Sequence, residues 1–336
     1  MAQSLLKVLR QRQPKADIDV LAPRWSAPLL RRMPEVNEII DAPFRHRRAD
    51  LRKRYQLGQR LRASSYQWAI VLPNSWKSAL VPFWARIPRR TGYIGEHRWG
   101  LVNDIRRLHQ ENNPMTVQRF VALADAPGQA TPTRTPIPMP ELVVRRRNAE
   151  AALSTMHLSV PDAPLLVLCP GAEFGPAKQW PVEHFGHVAR TYLDQGWSVW
   201  LLGSDSDADA AKEIDGLCAA RCVNLAGKTT LEQVIDLMSF ATLVISNDSG
   251  LMHIAAALGR PLVGVYGSSD PSVTPPLSSN SAAVSLDLPC SPCFKRTCPL
   301  GHLKCLRDLT PERVEESARL MLDERNQVSG ASSMHL

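Results

Sequence analysis

Two short stretches carry residues whose types and spacing suit an anionic ligand. In Leu243-Val-Ile-Ser-Asn-Asp-Ser-Gly-Leu-Met-His253 an apolar, largely β-branched run turns at Asn247 to Gly250 and continues as the apolar helix 251–258. A buried strand, a tight turn and a helix, in that order, place backbone N–H groups and a helix N-terminus at the carboxyl edge of a parallel sheet. Phosphate groups are received at that edge. The same pattern fits an ordinary βαβ unit whose helix is capped by Asp248 or Ser249. In Cys169-Pro-Gly-Ala-Glu-Phe-Gly-Pro-Ala-Lys-Gln-Trp-Pro181, glycines 171 and 175 and prolines 170 and 176 shape a loop, with Lys178 just ahead of the next helix. A lysine there either faces a phosphate as a point charge or projects from a structural turn.

A third group is Cys290-x2-Cys293-x4-Cys298-x6-Cys305, with His302 nearby. Four thiolates suit a tetrahedral zinc site that would pin a Pro-rich loop. The spacing matches no standard zinc ribbon. Plain reduced cysteines are the default, so no metal or cofactor is assigned.

The elements that must position these residues alternate between helix and strand. Residues 1–10 read as an amphipathic helix, 17–22 as a strand, 24–33 as a helix and 36–40 as a strand. The Arg-rich stretch 45–62 reads as a helix, Trp68–Leu72 as the clearest strand of this half, and 88–93 as a basic turn and strand. Residues 126–141 hold five prolines and read as a linker. Beyond it, strands at 165–169, 198–202 and 261–266 alternate with helices at 182–195 and 205–219. A last helix begins at Thr310-Pro311-Glu312, a cap followed by proline at the first helical position. Alternation of this kind predicts doubly wound parallel sheets. The predicted organisation is an N-terminal Rossmann-like domain over 1–141, a second over 142–325 and a flexible tail over 326–336.

A chain of 336 residues with 44% apolar and 21% charged residues is long enough for two such domains. No apolar run reaches the ~18 residues of a membrane span. Seven cysteines without an export signal point to a reducing cytoplasm. Charge is divided unequally: residues 1–150 hold 27 Lys and Arg against 12 Asp and Glu, whereas residues 151–336 hold 13 against 20. A basic first half suits an anionic membrane surface or a phosphorylated substrate. Nucleic acid is not expected as a partner, because no nucleic-acid motif of defined spacing accompanies the charge. A Gly-x-Gly-x-x-Gly after a strand, which a Rossmann dehydrogenase requires, is absent.

Taken together, Pro170-Gly-Ala-Glu-Phe-Gly-Pro-Ala-Lys178 with Trp180-Pro181, Asn247-Asp-Ser-Gly-Leu-Met-His253 and Tyr266-Gly-Ser-Ser-Asp-Pro271 resemble the ADP-heptose:lipopolysaccharide heptosyltransferases, glycosyltransferase family 9. The resemblance is fullest to the heptosyltransferase II branch, which adds the second heptose of the inner core. Leu21–Trp25, Met33–Glu38, Leu72–Ala79 and Pro88–Tyr93 match in order as well, so it covers most of residues 1–325.

The resemblance implies a GT-B fold, two Rossmann-like domains facing a cleft. It also implies inverting, metal-independent transfer of L-glycero-D-manno-heptose from its ADP donor to heptosyl-Kdo2-lipid A, at the cytoplasmic face of the inner membrane. Such a transfer needs a base for the acceptor hydroxyl and neutralisation of the diphosphate leaving group. Lys178 and the N–H groups of Ser249 and Gly250 match the second role, while Asp248 and His253 match donor-site residues. Asp205 or Asp207 either accepts ribose hydroxyls or begins a helix as an exposed acid. On the acceptor side, Asn74, Ser75, Lys77, Arg89 and Arg90 either meet the anionic sugars of Kdo-lipid A or form a solvated basic face.

Family members begin with a strand and an Asp-bearing loop that supplies the proposed base. Here Met1 aligns inside the first helix, and Asp17 and Asp19 are expected at the sheet's opposite, amino edge. No base is assigned. Heptosyltransferases I and III, and an ADP-sugar-binding form without turnover, are the alternatives.

Overall fold

The computed structural model describes residues 1–45, 48–108, 110–126 and 136–332, with side chains through Asp323. The chain divides into two compact units, Met1–Pro138 and Met139–Leu336. Most of the expected linker, 127–135, lies outside the described residues. Residues 136–145 form neither helix nor strand.

In the first unit the helix Ala2–Arg12 precedes β1 (Val20–Ala22) and β2 (Ile39–Asp41), which pair in parallel. The helix Leu51–Leu61 leads to β3 (Trp68–Val71), β4 (Arg89–Tyr93) and β5 (Asp104–Arg106), a second parallel sheet in that order. The single sheet expected here is therefore found as two pieces, because no strand among the described residues pairs with both β1 and β3. Their amino ends are bridged by side chains instead. The Tyr66 hydroxyl donates to Asp19 Oδ2 at 2.5 Å, and Asp19 Oδ1 accepts from Asn37 Nδ2 and the Glu38 N–H. Asp19 thus lies at the amino edge, as expected, and serves structure.

The second unit holds one six-stranded parallel sheet. Its strands are β6 (Leu165–Cys169), β7 (Ser198–Leu201), β8 (Val223–Asn224), β9 (Leu243–Asn247), β10 (Leu262–Val265) and β11 (Ser281–Val284). The spatial order is β11-β10-β9-β6-β7-β8. Every residue of β6, β9 and β10 is buried, which is why these segments read as continuous apolar runs and not as alternating ones. Leu166, Leu168, Val199, Leu201, Ile245 and Val263 pack on Phe185, Val188, Ile214 and Leu309 to form the core of one face.

Chain order reverses between β6 and β9, and a doubly wound sheet opens its binding crevice outside the carboxyl ends of that strand pair. The loop after β6 carries Lys178, and the turn after β9 carries Asp248. Both sequence motifs therefore meet at the switch point.

The last helix, Pro311–Ser332, runs through most of the segment expected to be a tail. Glu316, Arg319 and Asp323 form (i, i+3) and (i, i+4) ion pairs along it, and the backbone is helical without a break from Pro311 to Ser332. Residues 333–336 lie outside the described residues. No helix of the described residues is long and apolar enough to cross a membrane.

Candidate donor site at the β6–β9 switch point

The turn after β9 and the loop after β6 are tied backbone to side chain. Cys169 and Ser246 are register partners, so Pro170 and Asn247 leave the sheet side by side. The buried Asn247 amide donates from Nδ2 to the Pro170 carbonyl (2.6 Å) and accepts at Oδ1 from the Trp180 N–H (3.1 Å). Trp180 is itself buried and anchored through Nε1 to the Leu309 carbonyl. One side chain on β9 therefore holds both ends of the Lys178 loop. Gly175 sits in the loop at φ +145°, and a Cβ there would stand 2.7 Å from the Arg296 carbonyl oxygen, so glycine is required on both counts.

Within this frame Lys178 Nζ meets Asp248 Oδ2 at 2.5 Å, with side chains 17% and 5% exposed. The same carboxylate oxygen accepts from the Ser269 hydroxyl at 2.6 Å. The Phe174 ring lies 5.0 Å from the ammonium. Asp248 is consequently an orienting partner that fixes the ammonium in place. As an anion it would repel a diphosphate, and its proton-accepting oxygen is already engaged twice.

The helix Gly250–Ala257 begins beside this pair. Its N-cap, Ser249, is extended and makes no side-chain cap, so the first-turn N–H groups are left to an external acceptor. Space beyond Gly250 is open, since a Cβ there would meet nothing. His253 lies one turn in. Burial above all pushes its pKa down to about 4, so the ring is neutral at pH 7. A neutral imidazole offers an N–H to phosphate but no charge. Positive charge at this crevice comes from Lys178 and the helix N-terminus.

Asp205 and Asp207 open the next helical segment. Asp207 Oδ2 accepts from the Ser204 N–H (2.8 Å) and the Ser204 hydroxyl (2.7 Å), an N-terminal cap. Its carboxylate also fills the place a Cβ on Gly171 would take. Asp205 is exposed, beside Gly227.

The acceptor-side residues do not come together. Asn74, Ser75 and Lys77 follow the carboxyl end of β3, whereas Arg89 and Arg90 pair with Trp68 and Ala69 at its amino end. At about 3.3 Å per residue, roughly 16 Å of strand and turn separates Arg90's partner from Asn74. Both arginines are also engaged. Arg89 binds Asp104 (3.0 Å) and stacks on Trp68, and Arg90 donates to the carbonyls of Leu101, Ile87 and Gly100. A count of charges in sequence cannot distinguish the two edges of a sheet, and β5, which supplies Asp104, carries no strong apolar signal.

Two residues are additions. Ser269, in the Tyr266–Pro271 motif, completes the Lys178–Asp248 pair. Arg98, only 2% exposed, donates to the carbonyls of Tyr93 and Pro73 and to Asn74 Oδ1, tying together the carboxyl ends of β3 and β4. Neither has a periodicity that would mark it, although Ser269 lies inside a recognised motif.

Known proteins share this sequence and fold. The family model for glycosyltransferase family 9 (heptosyltransferase) matches residues 54–304. Lipopolysaccharide heptosyltransferase 2 of Escherichia coli is 45% identical, with 96% of this chain and 95% of the relative covered. Lipooligosaccharide heptosyltransferase 2 of Haemophilus ducreyi is 43% identical over the same shares. The solved structure of E. coli ADP-heptose lps heptosyltransferase II superposes with a TM-score of 0.85 at 42% identity, covering 97% of this chain and 95% of that one. The fold is that of the GT-B glycosyltransferases, and the chain belongs to glycosyltransferase family 9, the heptosyltransferases.

Proposed function

We propose that the chain transfers L-glycero-D-manno-heptose, with inversion, from ADP-heptose to the first heptose of the inner core, heptosyl-Kdo2-lipid A. The observation that carries the donor half is the Lys178–Asp248–Ser269 constellation at the β6–β9 crevice, beside an uncapped helix N-terminus. As the anomeric C–O bond breaks, negative charge grows on the departing diphosphate. A lysine held in position beforehand and first-turn N–H groups stabilise that charge without reorganising. Asp248 contributes by fixing Lys178, Ser269 by fixing Asp248, and neutral His253 by donating one N–H. Asp205 accepts a ribose hydroxyl, while Asp207 remains a cap.

Asn74, which Arg98 holds at the carboxyl edge of the first unit, and the neighbouring Ser75 and Lys77 serve the acceptor's anionic sugars. Arg89 and Arg90 serve the sheet. The basic first half, with 27 Lys and Arg against 12 Asp and Glu in residues 1–150, favours a peripheral seat on the anionic inner face of the inner membrane.

The test is a mass spectrum of glycolipid after incubation with ADP-heptose. The expected product is heptosyl-Kdo2-lipid A heavier by one heptose, with Kdo2-lipid A unchanged. A gain on Kdo2-lipid A instead would make the chain a first-heptose enzyme, and no gain on either acceptor would remove the reading.

A further inference from the structure

The cysteine-rich segment between β11 and the last helix is not used by the transfer chemistry, yet it is built against the donor site. The Ala177 N–H donates to the Arg296 carbonyl (3.0 Å), the Phe294 N–H to the Ser268 carbonyl (2.7 Å) and the Ser291 hydroxyl to the Gly267 carbonyl (2.6 Å). Ala177 adjoins Lys178, and Ser268 adjoins Ser269. The position of residues 290–305 therefore sets the position of the donor-site loops, although the segment is almost devoid of regular structure. Only Lys304–Arg307 forms a short helix.

Its four cysteines gather around one cavity, lined by Cys290, Cys293, Cys298 and Cys305 together with Ser268 and His302. One further feature marks the cavity as one that receives something. Ser268 is 1% exposed and its hydroxyl has no hydrogen-bond partner, an orphaned buried donor on the cavity wall. The Gly301 N–H donates to the Cys298 carbonyl at 3.2 Å, a turn that holds Cys298 on the cavity wall. His302 accepts the Lys304 N–H at Nδ1, which places its proton on Nε2 and takes the ring out of the donor set. What remains is four thiols and a hydroxyl. The basic residues Lys295, Arg296, Lys304 and Arg307 stand between or beside them in the chain.

We propose that Cys290, Cys293, Cys298 and Cys305 bind one soft divalent cation of the zinc class, and that this ion clasps the segment against the Lys178 loop. Among the described residues no three ligating side chains already stand in a metal-holding arrangement, so binding of the ion requires the four sulfurs to draw together over the cavity they line. Binding releases the thiol protons to solvent, and four thiolates around a dication carry a net charge of −2, which the flanking Lys and Arg side chains balance. The Ser268 hydroxyl then donates to a metal-bound sulfur, which satisfies the orphan. The role is structural. With four protein sulfurs the coordination shell is closed, and the ion offers no open position for chemistry.

The test is elemental analysis of the purified full chain, followed by chelator treatment and titration with Co2+. About one equivalent of zinc-class metal per chain is expected from a closed four-cysteine site. The Co2+ form should show intense thiolate-to-metal absorption. Cys293→Ser should lose both signals, whereas Cys222→Ser, outside the cluster, should keep them, with folding checked by circular dichroism. Chelation should also weaken ADP binding several-fold without unfolding the chain. Should Cys293→Ser fail to fold, the metal content and Co2+ spectrum of the unaltered protein decide alone. A folded chain that holds no metal, gives no cobalt–thiolate absorption and leaves all four thiols open to a thiol reagent would overturn the proposal. A mass lower by two hydrogens per bridge, reporting disulfides, would do so equally.

Discussion

The two parallel-sheet units use their charge in opposite ways. The first unit carries most of the Lys and Arg, yet several of its arginines are turned on its own backbone. Arg90 donates to three carbonyls, Arg98 to two carbonyls and the Asn74 side chain, and Arg89 and Arg106 share Asp104. Strands β1 and β3 are mostly half-buried, and the arginines stitch together loops that sheet burial leaves loose. The second unit is acidic overall, but it aims a lysine and a bare helix N-terminus at one crevice, on a sheet whose central strands are wholly buried. Electrostatic function here follows from where a charge is held on a rigid edge, as Asp248 holds Lys178. At the diphosphate crevice the number of charges decides little.

The largest break in this contrast is expected at Lys178. Lys178→Ala removes the ammonium that Asp248 holds at the crevice and should lower turnover by roughly 10²–10³-fold, about 3–4 kcal/mol of leaving-group stabilisation. Steady-state kinetics with ADP-heptose would register it. The Lys178→Arg variant should recover only part of the activity, because the guanidinium does not fit the Asp248 geometry. Asp248→Asn should destabilise the chain by roughly 3 kcal/mol, since it breaks a largely buried ion pair and leaves Lys178 without its counter-ion. Denaturant unfolding measures that loss, and a variant as stable as the parent would show that the pair contributes nothing to the fold. Arg90→Ala should cost about 2 kcal/mol of stability through three lost backbone hydrogen bonds, with the KM for ADP-heptose unchanged. A raised donor KM would mean that the basic half reaches the diphosphate after all.

What the sequence makes legible follows from burial. β6, β9 and β10 are covered on both faces and appear as apolar runs, and the motifs that end them fall on the switch point. The two-residue β8 and the polar-edged β5 and β11 have no such run. The helix Leu231–Met238 is by contrast legible, marked by its Thr230–Gln233 capping box and by apolar residues at 231, 234, 235 and 238. At the site, Lys178 is visible because it precedes a helix after a glycine-shaped loop. Ser269 and Arg98 are not, because a loop side chain's partner is set by tertiary contact. Arg89 and Arg90 are misplaced for a related reason. Adjacency to Asn74 depends on which end of β4 they occupy, and strand register is not written in local composition.

Smaller effects sharpen the picture. With its pKa held near 4 in the folded chain, His253 binds fewer protons folded than unfolded between that value and its ordinary one. Its contribution to stability is complete above about pH 6.5 and is lost as the pH falls towards 4, at most about 3 kcal/mol. His253→Gln should flatten that part of the stability–pH curve while leaving stability at pH 8 nearly unchanged. An unaltered slope would locate the titration elsewhere. Lys77→Ala should raise the acceptor KM by only about two- to five-fold, the scale of one partly solvated charge contact, with the donor KM constant.

The most direct test of the contrast is calorimetric titration of ADP into the parent chain, Lys178→Ala and Arg89→Gln. Lys178→Ala should weaken ADP by about 10- to 100-fold, the 1.5–3 kcal/mol of a charge-assisted contact, while Arg89→Gln binds as the parent does. Equal losses in the two variants, or a loss confined to Arg89→Gln, would contradict the assignment of the diphosphate to the β6–β9 crevice.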